Sequence, residues 1–352
     1  MSLALAQPTA PGPGAVLHSD VSFRALHSSY VARILRAPVY DIAVETPLQS
    51  APRLSAALSN QVLLKREDLQ PVHSFKIRGA YARVAALDER ARNSGVITAS
   101  AGNHAQGLAL AAQTLGIEAL IVMPLNTPAI KLQGVRSRGA EVLLYGDTFA
   151  ESLAYAIGLA QTRGYTFVPP YDDADVIAGQ GTIGLELLRQ HQGPLDAIFV
   201  PVGGGGLIAG IAAYVKYLRP EVRIIGVEPA GSNCLQSALA AGERVILSQV
   251  DAFADGVAVA QVGALNFELC RHLVDEVITV TTDQICAAVR DIYEDTRSIA
   301  EPAGALAAAG IRSYVAREGC SDQVLVGINS GANIDFANLG FVVERAGHGD
   351  SK

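Results

Sequence analysis

Along most of the chain, short β-branched runs alternate with Ala- and Leu-rich stretches. The runs at residues 62–65, 96–99, 119–123, 141–144, 198–202, 224–228, 277–280 and 324–328 read as strands. The stretches at 77–89, 104–115, 148–162, 181–190, 207–217, 283–296 and 302–315 read as helices. Such alternation builds crossover units, so the fold class is α/β, with mostly parallel sheets flanked by helices. Ligands of such sheets sit beyond the carboxyl ends of the strands, in the loops that follow.

Three of those loops are rich in glycine and polar residues. SAGNHAQG (100–107) follows the run at 96–99, GGGG (203–206) follows 198–202, and NSGAN (329–333) follows 324–328. One such loop is weak evidence, but three in one chain make a pattern.

Composition narrows the class. With 50% hydrophobic and 17% charged residues, the chain is neither disordered nor dependent on disulfides, and 352 residues suit about two domains. The net charge of -7 and the lack of a Lys/Arg run argue against nucleic acid as partner. Residues 197–215 carry no charge, but Pro201 and four glycines interrupt them, so they read as strand, turn and helix rather than a membrane span. Cys234, Cys270, Cys286 and Cys320 form no C-x-x-C pair and have no histidine at ligand spacing. They read as reduced thiols of a cytoplasmic protein, with no metal site. Residues 1–20 lack a basic signal-peptide start and read as a flexible tail, and residues 342–352 as a second tail.

Lysine is scarce. Of 27 basic residues only Lys65, Lys76, Lys131, Lys216 and Lys352 are lysines. Lys76 lies in PVHSFKIRGAY, after Phe75 and before a helix. A deprotonated lysine forms imines with carbonyl compounds, pyridoxal phosphate among them; the bland alternative is a helix-start lysine facing water. VPVGGGGLIAG offers glycines and a helix N-terminus, which together cradle a phosphate. Gly204, Gly206 and Ala209 also match the dinucleotide fingerprint G-x-G-x-x-A, with Glu228 placed as a ribose-binding acid. A nicotinamide-dependent oxidoreductase is therefore a second reading, one that leaves Lys76, SAGNH and NSGAN without roles.

KREDLQPVHSFKIRGAY, SAGNHAQGLA, VIAGQGT, FVPVGGGGLIAG, FADGVAVAQVG and NSGAN together resemble the fold-type II pyridoxal-phosphate enzymes, and within them the threonine dehydratases. The resemblance runs from about residue 35 to residue 341. It implies pyridoxal phosphate as cofactor, carried on Lys76 as an imine. It implies that Gly203, Gly204, Gly205, Gly206 and Leu207 hold the phosphate, that Asn103 bonds the cofactor's 3-hydroxyl, and that Ser330 faces the pyridine nitrogen. It further implies that Phe75 packs near the ring, that Gly256 leaves room for it, and that Ser100, Ala101, Gly102, Asn103 and His104 receive the substrate carboxylate.

The implied reaction is β-elimination on L-threonine, giving 2-oxobutanoate and ammonia, with L-serine as a second substrate; QPVHSFK, AEPAGA and SGAN resemble the biosynthetic type that feeds isoleucine synthesis, and PPYDDADVIAGQGTIGLE resembles the catabolic type about as well. Serine racemases are similar but usually carry a serine where this chain has Ala101, which favours elimination. The implied assembly is a homodimer or homotetramer. The implied large domain joins residues 21–81 to 171–341, and residues 82–170 form a smaller domain that closes over substrate. Tyr171, Asp172 and Asp173 read as an interdomain crossover, and Glu228 and Glu301 as structural salt-bridging residues, with a place lining the cofactor region or a cation site as the alternative. Biosynthetic relatives commonly continue into an isoleucine-binding domain, and this sequence ends at Lys352 without one. The expectation is an enzyme without isoleucine feedback.

Overall fold

A computed structural model describes residues 13–349, so the start of the expected N-terminal tail and the last three residues lie outside the described residues. Its strands are β1 (Leu48–Ser50), β2 (Gln61–Arg66), β3 (Val96–Ala99), β4 (Ala119–Met123), β5 (Glu141–Leu144), β6 (Thr166–Phe167), β7 (Ala197–Pro201), β8 (Arg223–Pro229), β9 (Glu276–Val280) and β10 (Val324–Asn329). The larger sheet runs β1-β2-β10-β7-β8-β9 and is parallel except at the β1 edge. The smaller runs β5-β4-β3-β6 and is parallel throughout. All four of its strands come from residues 96–167.

Successive side chains of a strand point to opposite faces. Ile198 of β7 therefore joins a core with the helices Ala174–Gln190, Gly206–Leu218 and Ala264–Leu273. Its neighbour Phe199 joins another with Thr282–Thr296 and Pro302–Glu318. The smaller sheet is covered likewise, by Asn103–Leu115 on one face and Phe149–Arg163 on the other. β4 and β7 are buried at every position, as strands covered on both faces must be.

The helix Lys76–Ala85 packs between Asn103–Leu115 and Ala174–Gln190, and so ties the two sheets together. Glycines permit this. A Cβ on Gly79 would stand 2.7 Å from the Val176 carbonyl oxygen, and one on Gly179 would stand 2.6 Å from that of Arg78. The backbones touch where a side chain would hold them apart.

Several expected boundaries need correction. The helix expected at 77–89 ends at Ala85, and the Asp88 carboxylate starts a second one, Glu89–Ser94, by accepting the Ala91 N–H. Residues 13–20 belong to the helix Pro13–Arg36, not to a tail. A proline opens its first turn, no proline follows, and Tyr30 and Ile34 anchor its far end in the core. The expected C-terminal tail contains the helix Leu339–Ala346, whose Val342 and Ala346 recur at helical spacing and are buried. Strands β1 and β6 escaped the pattern because three and two residues are too short to show a period. Among the described residues, no helix is long and apolar enough to cross a membrane.

Candidate active site

Lys76 is the first residue of its helix, so its side chain projects from a helix start into the space between the sheets. It is partly buried. Its Nζ donates to the Pro170 carbonyl oxygen at 2.8 Å and lies 5.3 Å from the centre of the Phe75 ring. Burial pushes the ammonium down to about 8, against the opposing pull of Glu301. A lysine so placed sheds its proton near pH 8 rather than near 10.5, so that a larger share of it is the free amine a nucleophile requires.

The Pro170 carbonyl leads directly to the tetraglycine loop. Tyr171 packs on that loop so closely that a Cβ on Gly204 would fall 2.2 Å from the ring, and one on Gly206 would fall 2.9 Å from the Tyr171 carbonyl oxygen. Gly205 has φ +91°, a left-handed conformation that suits glycine. The loop's carbonyls are tied from behind. Cys234 Sγ donates to the Gly203 oxygen at 3.3 Å, and Asn266 Nδ2 and Gly263 N donate to the Gly204 oxygen at 2.6 and 3.0 Å. No side chain caps the helix that follows, Gly206–Leu218. Its first N–H groups, on Gly206 and the buried Leu207, therefore remain available to an anion.

A third group closes the site. Asn103 Nδ2 donates to Glu301 Oε1 at 2.6 Å, and Asn103 Oδ1 accepts from Asn333 Nδ2 at 2.7 Å. Gly256 lies against Glu301, where an added Cβ would stand 3.4 Å from Oε1. Ser330 is buried, and among the described residues its Oγ donates to the Ala303 carbonyl oxygen alone, at 3.4 Å. The Ser330 carbonyl accepts the Phe75 N–H at 3.2 Å, so the loop at the end of β10 sits beside Lys76.

Ser100, Ala101 and Gly102 are half-buried and lead into the helix Asn103–Leu115, which also lacks a side-chain cap. His104 is buried, and burial with nearby Lys76 pushes its imidazole down to about 3. The neutral ring donates from Nε2 to the Val168 carbonyl oxygen at 3.0 Å, and Nδ1 has no partner among the described residues. The structure thus brings together Lys76, Phe75, Asn103, Gly203–Leu207, Gly256 and Ser330, with 100–104 at one mouth of the space.

Sequence reasoning missed or misassigned four features. Glu301 makes no ion pair among the described residues, but holds Asn103 instead. Tyr171, expected only in a connecting segment, packs on the tetraglycine loop and seats it. Glu228 is wholly buried and accepts the N–H groups of Leu235 and Gln236 at 2.9 Å each, which removes it from the role of ribose ligand. The fourth is a buried ionic cluster two residues past Lys76. Arg78 pairs with Glu67 and Glu186 at 2.8 and 2.6 Å, and Lys65 pairs with Glu186 at 2.6 Å, all four side chains being fully buried. KREDL gives the one local signal, four consecutive charges at the end of an apolar strand.

Residues 39–331 match the family described as "Pyridoxal-phosphate dependent enzyme". Over 326 residues the chain is 53% identical to the biosynthetic L-threonine dehydratase of Burkholderia multivorans, covering 92% of this chain and 64% of that protein. It is 56% identical over 320 residues to the chloroplastic biosynthetic threonine dehydratase of Arabidopsis thaliana, covering 91% and 54% respectively. The chain thus spans between half and two-thirds of the length of these relatives. The processed form of threonine deaminase isoform 2 from Solanum lycopersicum superposes with a TM-score of 0.90, at 46% identity, covering 98% of this chain and 97% of that one.

The residues present fit the family's cofactor. A desolvated amine, a glycine cradle that a Cβ would fill, and an uncapped helix N-terminus supply an imine-forming group and a phosphate seat. On motif, fold and site alike, the chain belongs to the pyridoxal-phosphate dependent enzymes.

Proposed function

We propose that the chain converts L-threonine to 2-oxobutanoate and ammonia, by a loss of water that hydrolysis later restores, and acts on L-serine in the same way to give pyruvate. The observation that carries this reading is the Lys76 amine, lowered to about 8 and linked through Pro170–Tyr171 to the tetraglycine cradle. When bound, pyridoxal phosphate supplies the electron sink for charge developing at the substrate's α-carbon. Lys76 takes the α-proton there, since a base with a pKa near the working pH transfers protons best. Gly203, Gly204, Gly205, Gly206 and Leu207 hold the phosphate through N–H groups. Asn103 donates to the ring oxygen, and neutral Ser330 faces the ring nitrogen, so that nitrogen need not carry a proton. Phe75 packs beside the ring, and Gly256 leaves room for it.

The residues Ser100, Ala101, Gly102, Asn103 and His104 receive the substrate carboxylate at an uncapped helix start, where an anion is favoured. Ala101 has no proton to give, so only Lys76 serves the α-carbon and inversion lacks a donor on the second face. The β-hydroxyl leaves as water, its proton balanced by the one that Lys76 takes from the α-carbon. The released enamine tautomerises and hydrolyses to the keto acid and ammonia, which places the enzyme at the supply of isoleucine synthesis.

We read the molecule as two lobes, with residues 82–170 closing over substrate to exclude water. We also read it as a cytoplasmic homodimer or homotetramer, a point that sedimentation of the purified protein checks. A difference of one methyl discriminates only about tenfold to two-hundredfold, which is why serine is also accepted.

The test is the visible spectrum of the purified protein before and after L-threonine. The expected result is a cofactor band that changes while keto acid accumulates. A protein left colourless by pyridoxal phosphate overturns the reading. A coloured protein that ignores threonine but makes D-serine from L-serine replaces elimination with racemisation.

A further inference from the structure

The hydrogen bonds around Asn103 have a fixed direction, and that direction starts outside the active site. A backbone carbonyl only accepts, so the atom of Asn333 that lies 2.8 Å from the Val72 oxygen must be its Nδ2. The same Nδ2 stands 2.7 Å from Asn103, so the facing atom there must be the acceptor, Oδ1. Asn103 Nδ2 then faces the other way, onto Glu301 Oε1 at 2.6 Å. Nδ2 carries two hydrogens. Glu301 takes one, and the second remains for whatever occupies the space beside Lys76.

Among the described residues Glu301 makes no ion pair and caps no helix, although its charge bears on Lys76. It immediately precedes the helix Pro302–Glu318, yet its side chain does not cap that helix. It is buried, and glycines stand where side chains would displace it: a Cβ on Gly331 would fall 2.6 Å from Oε1, and one on Gly256 would fall 3.4 Å away. The backbone N–H of Asn333 also supports the carboxylate. A buried carboxyl given room by two glycines, steadied by the Asn333 N–H and bonded to one side-chain amide, is placed to orient that amide.

We infer that Glu301 is a positioning residue: with Asn333 it fixes the Asn103 amide so that an N–H, and not a carbonyl oxygen, meets the ring oxygen of pyridoxal phosphate. The inference rests on the cofactor reading above. A flipped amide would set one oxygen against another, and an untethered one would divide between the two orientations. The role needs an acceptor at residue 301, not a charge, so Glu301→Gln preserves it and Glu301→Ala removes it.

The experiment titrates pyridoxal phosphate into the apo forms of wild type, E301Q, E301A and N333A, and records the wavelength of the bound-cofactor band together with apo-protein melting. E301A is expected to bind about tenfold more weakly, the effect of one orienting hydrogen bond to a charged oxygen, with a displaced band. N333A acts from the other end of the amide and moves both readouts in the same direction. It also keeps the test alive if E301A does not fold. E301Q is expected to keep the wild-type band and to lie closer to wild type than to E301A in affinity, since both variants lose the same charge near Lys76 but only E301A loses the acceptor. Unchanged affinity and band in E301A or in N333A overturns the inference, as does an E301Q as defective as E301A. A wild type that takes up no cofactor overturns the cofactor reading and this inference together; wild-type uptake with unaltered variants overturns this inference alone.

Discussion

Two desolvated lysines lie eleven positions apart, and they have opposite fates. Lys65 is wholly buried, and each of its three ammonium hydrogens has an acceptor: the Thr46 carbonyl at 2.6 Å, Glu186 at 2.6 Å and Gln190 at 3.0 Å. Lys76 faces the space between the sheets and has one acceptor, the Pro170 carbonyl. Burial lowers the pKa of both. At Lys65 the carboxylate of Glu186 opposes that effect through a charge-assisted hydrogen bond, and the residue has no spare donor or free volume with which to react. At Lys76 a neutral carbonyl replaces the carboxylate, and the amine can lose its proton. Partners, not burial, separate a structural lysine from a chemical one.

The largest expected effect separates the two in activity. Lys76→Met should lower threonine turnover by about 10⁴-fold, the upper range for loss of a general acid–base group, and should abolish the bound-cofactor band. Lys65→Met should leave the turnover of folded protein within about threefold of wild type, since Lys65 touches Thr46, Glu186 and Gln190 and none of the residues around Lys76; its cost falls on stability, because Arg78 is then left alone against Glu67 and Glu186. Keto-acid formation measured per mole of folded enzyme checks both.

The next effect lies in stability and belongs to the buried cluster. Glu186 serves two cations, Lys65 and Arg78, and also accepts from the Tyr40 hydroxyl at 2.8 Å. Glu186→Ala leaves an uncompensated positive charge in the core, because Glu67 alone remains against the two cations. The expected loss is about 3–5 kcal/mol, read by denaturant unfolding. A loss under about 1 kcal/mol would mean that the cluster is solvated, and the contrast between the lysines would collapse.

In the apo-protein Lys76→Met should act in the opposite sense. The folded-state pKa of Lys76 lies near 8, below its ordinary 10.5, so the folded chain holds this proton less tightly than the unfolded chain. The penalty is complete below about pH 8, shrinks as the pH rises, and is gone above about 10.5. A tenfold difference in proton affinity corresponds to about 1.4 kcal/mol; allowing for water in the cleft, the variant should gain about 2 kcal/mol at pH 7. Its advantage in melting temperature should disappear toward pH 10.5. An advantage independent of pH would assign the gain to packing.

The same contrast explains what the sequence could reveal. Strands β3, β4 and β5 agree with the pattern to the residue, because an apolar run bounded by polar residues is local information. The placement of Lys76 at a helix start, of the tetraglycine loop between a strand and a helix, and of Ser330 just past β10 was legible through motif, since such placement depends on residue type and on backbone close by. The KREDL charges were not. Lys65, Arg66, Glu67 and Asp68 are all buried, yet the partner that admits Lys65 is Glu186, 121 positions away. Glu301 was misassigned for the same reason. Its partner Asn103 lies 198 positions back, and a carboxylate at a helix start ordinarily reads as a cap or a salt bridge. Polar pairing across the fold leaves no period in the chain.

The smallest expected effect concerns a third lysine, which is partnered yet exposed enough to be cheap to break. Lys131, on the helix Ala129–Arg136 beside the smaller sheet, lies 2.5 Å from Asp255. Asp255 immediately precedes Gly256, so this ion pair spans the two sides of the site at its rim. About half of the Asp255 side chain is exposed, and solvent screens the attraction. A double-mutant cycle with Lys131→Ala and Asp255→Ala should return a coupling of about 0.5 kcal/mol at low salt, roughly a twofold change in KM for threonine, falling further at 0.5 M salt. The sign is informative. If the pair holds the lobes closed over substrate, both single variants raise KM and leave kcat within about twofold. If it restrains opening for product release, the same variants raise kcat instead. Coupling that is large and insensitive to salt would place Lys131 with Lys65 as a buried structural cation, and the exposed side of the comparison would then have to be redrawn.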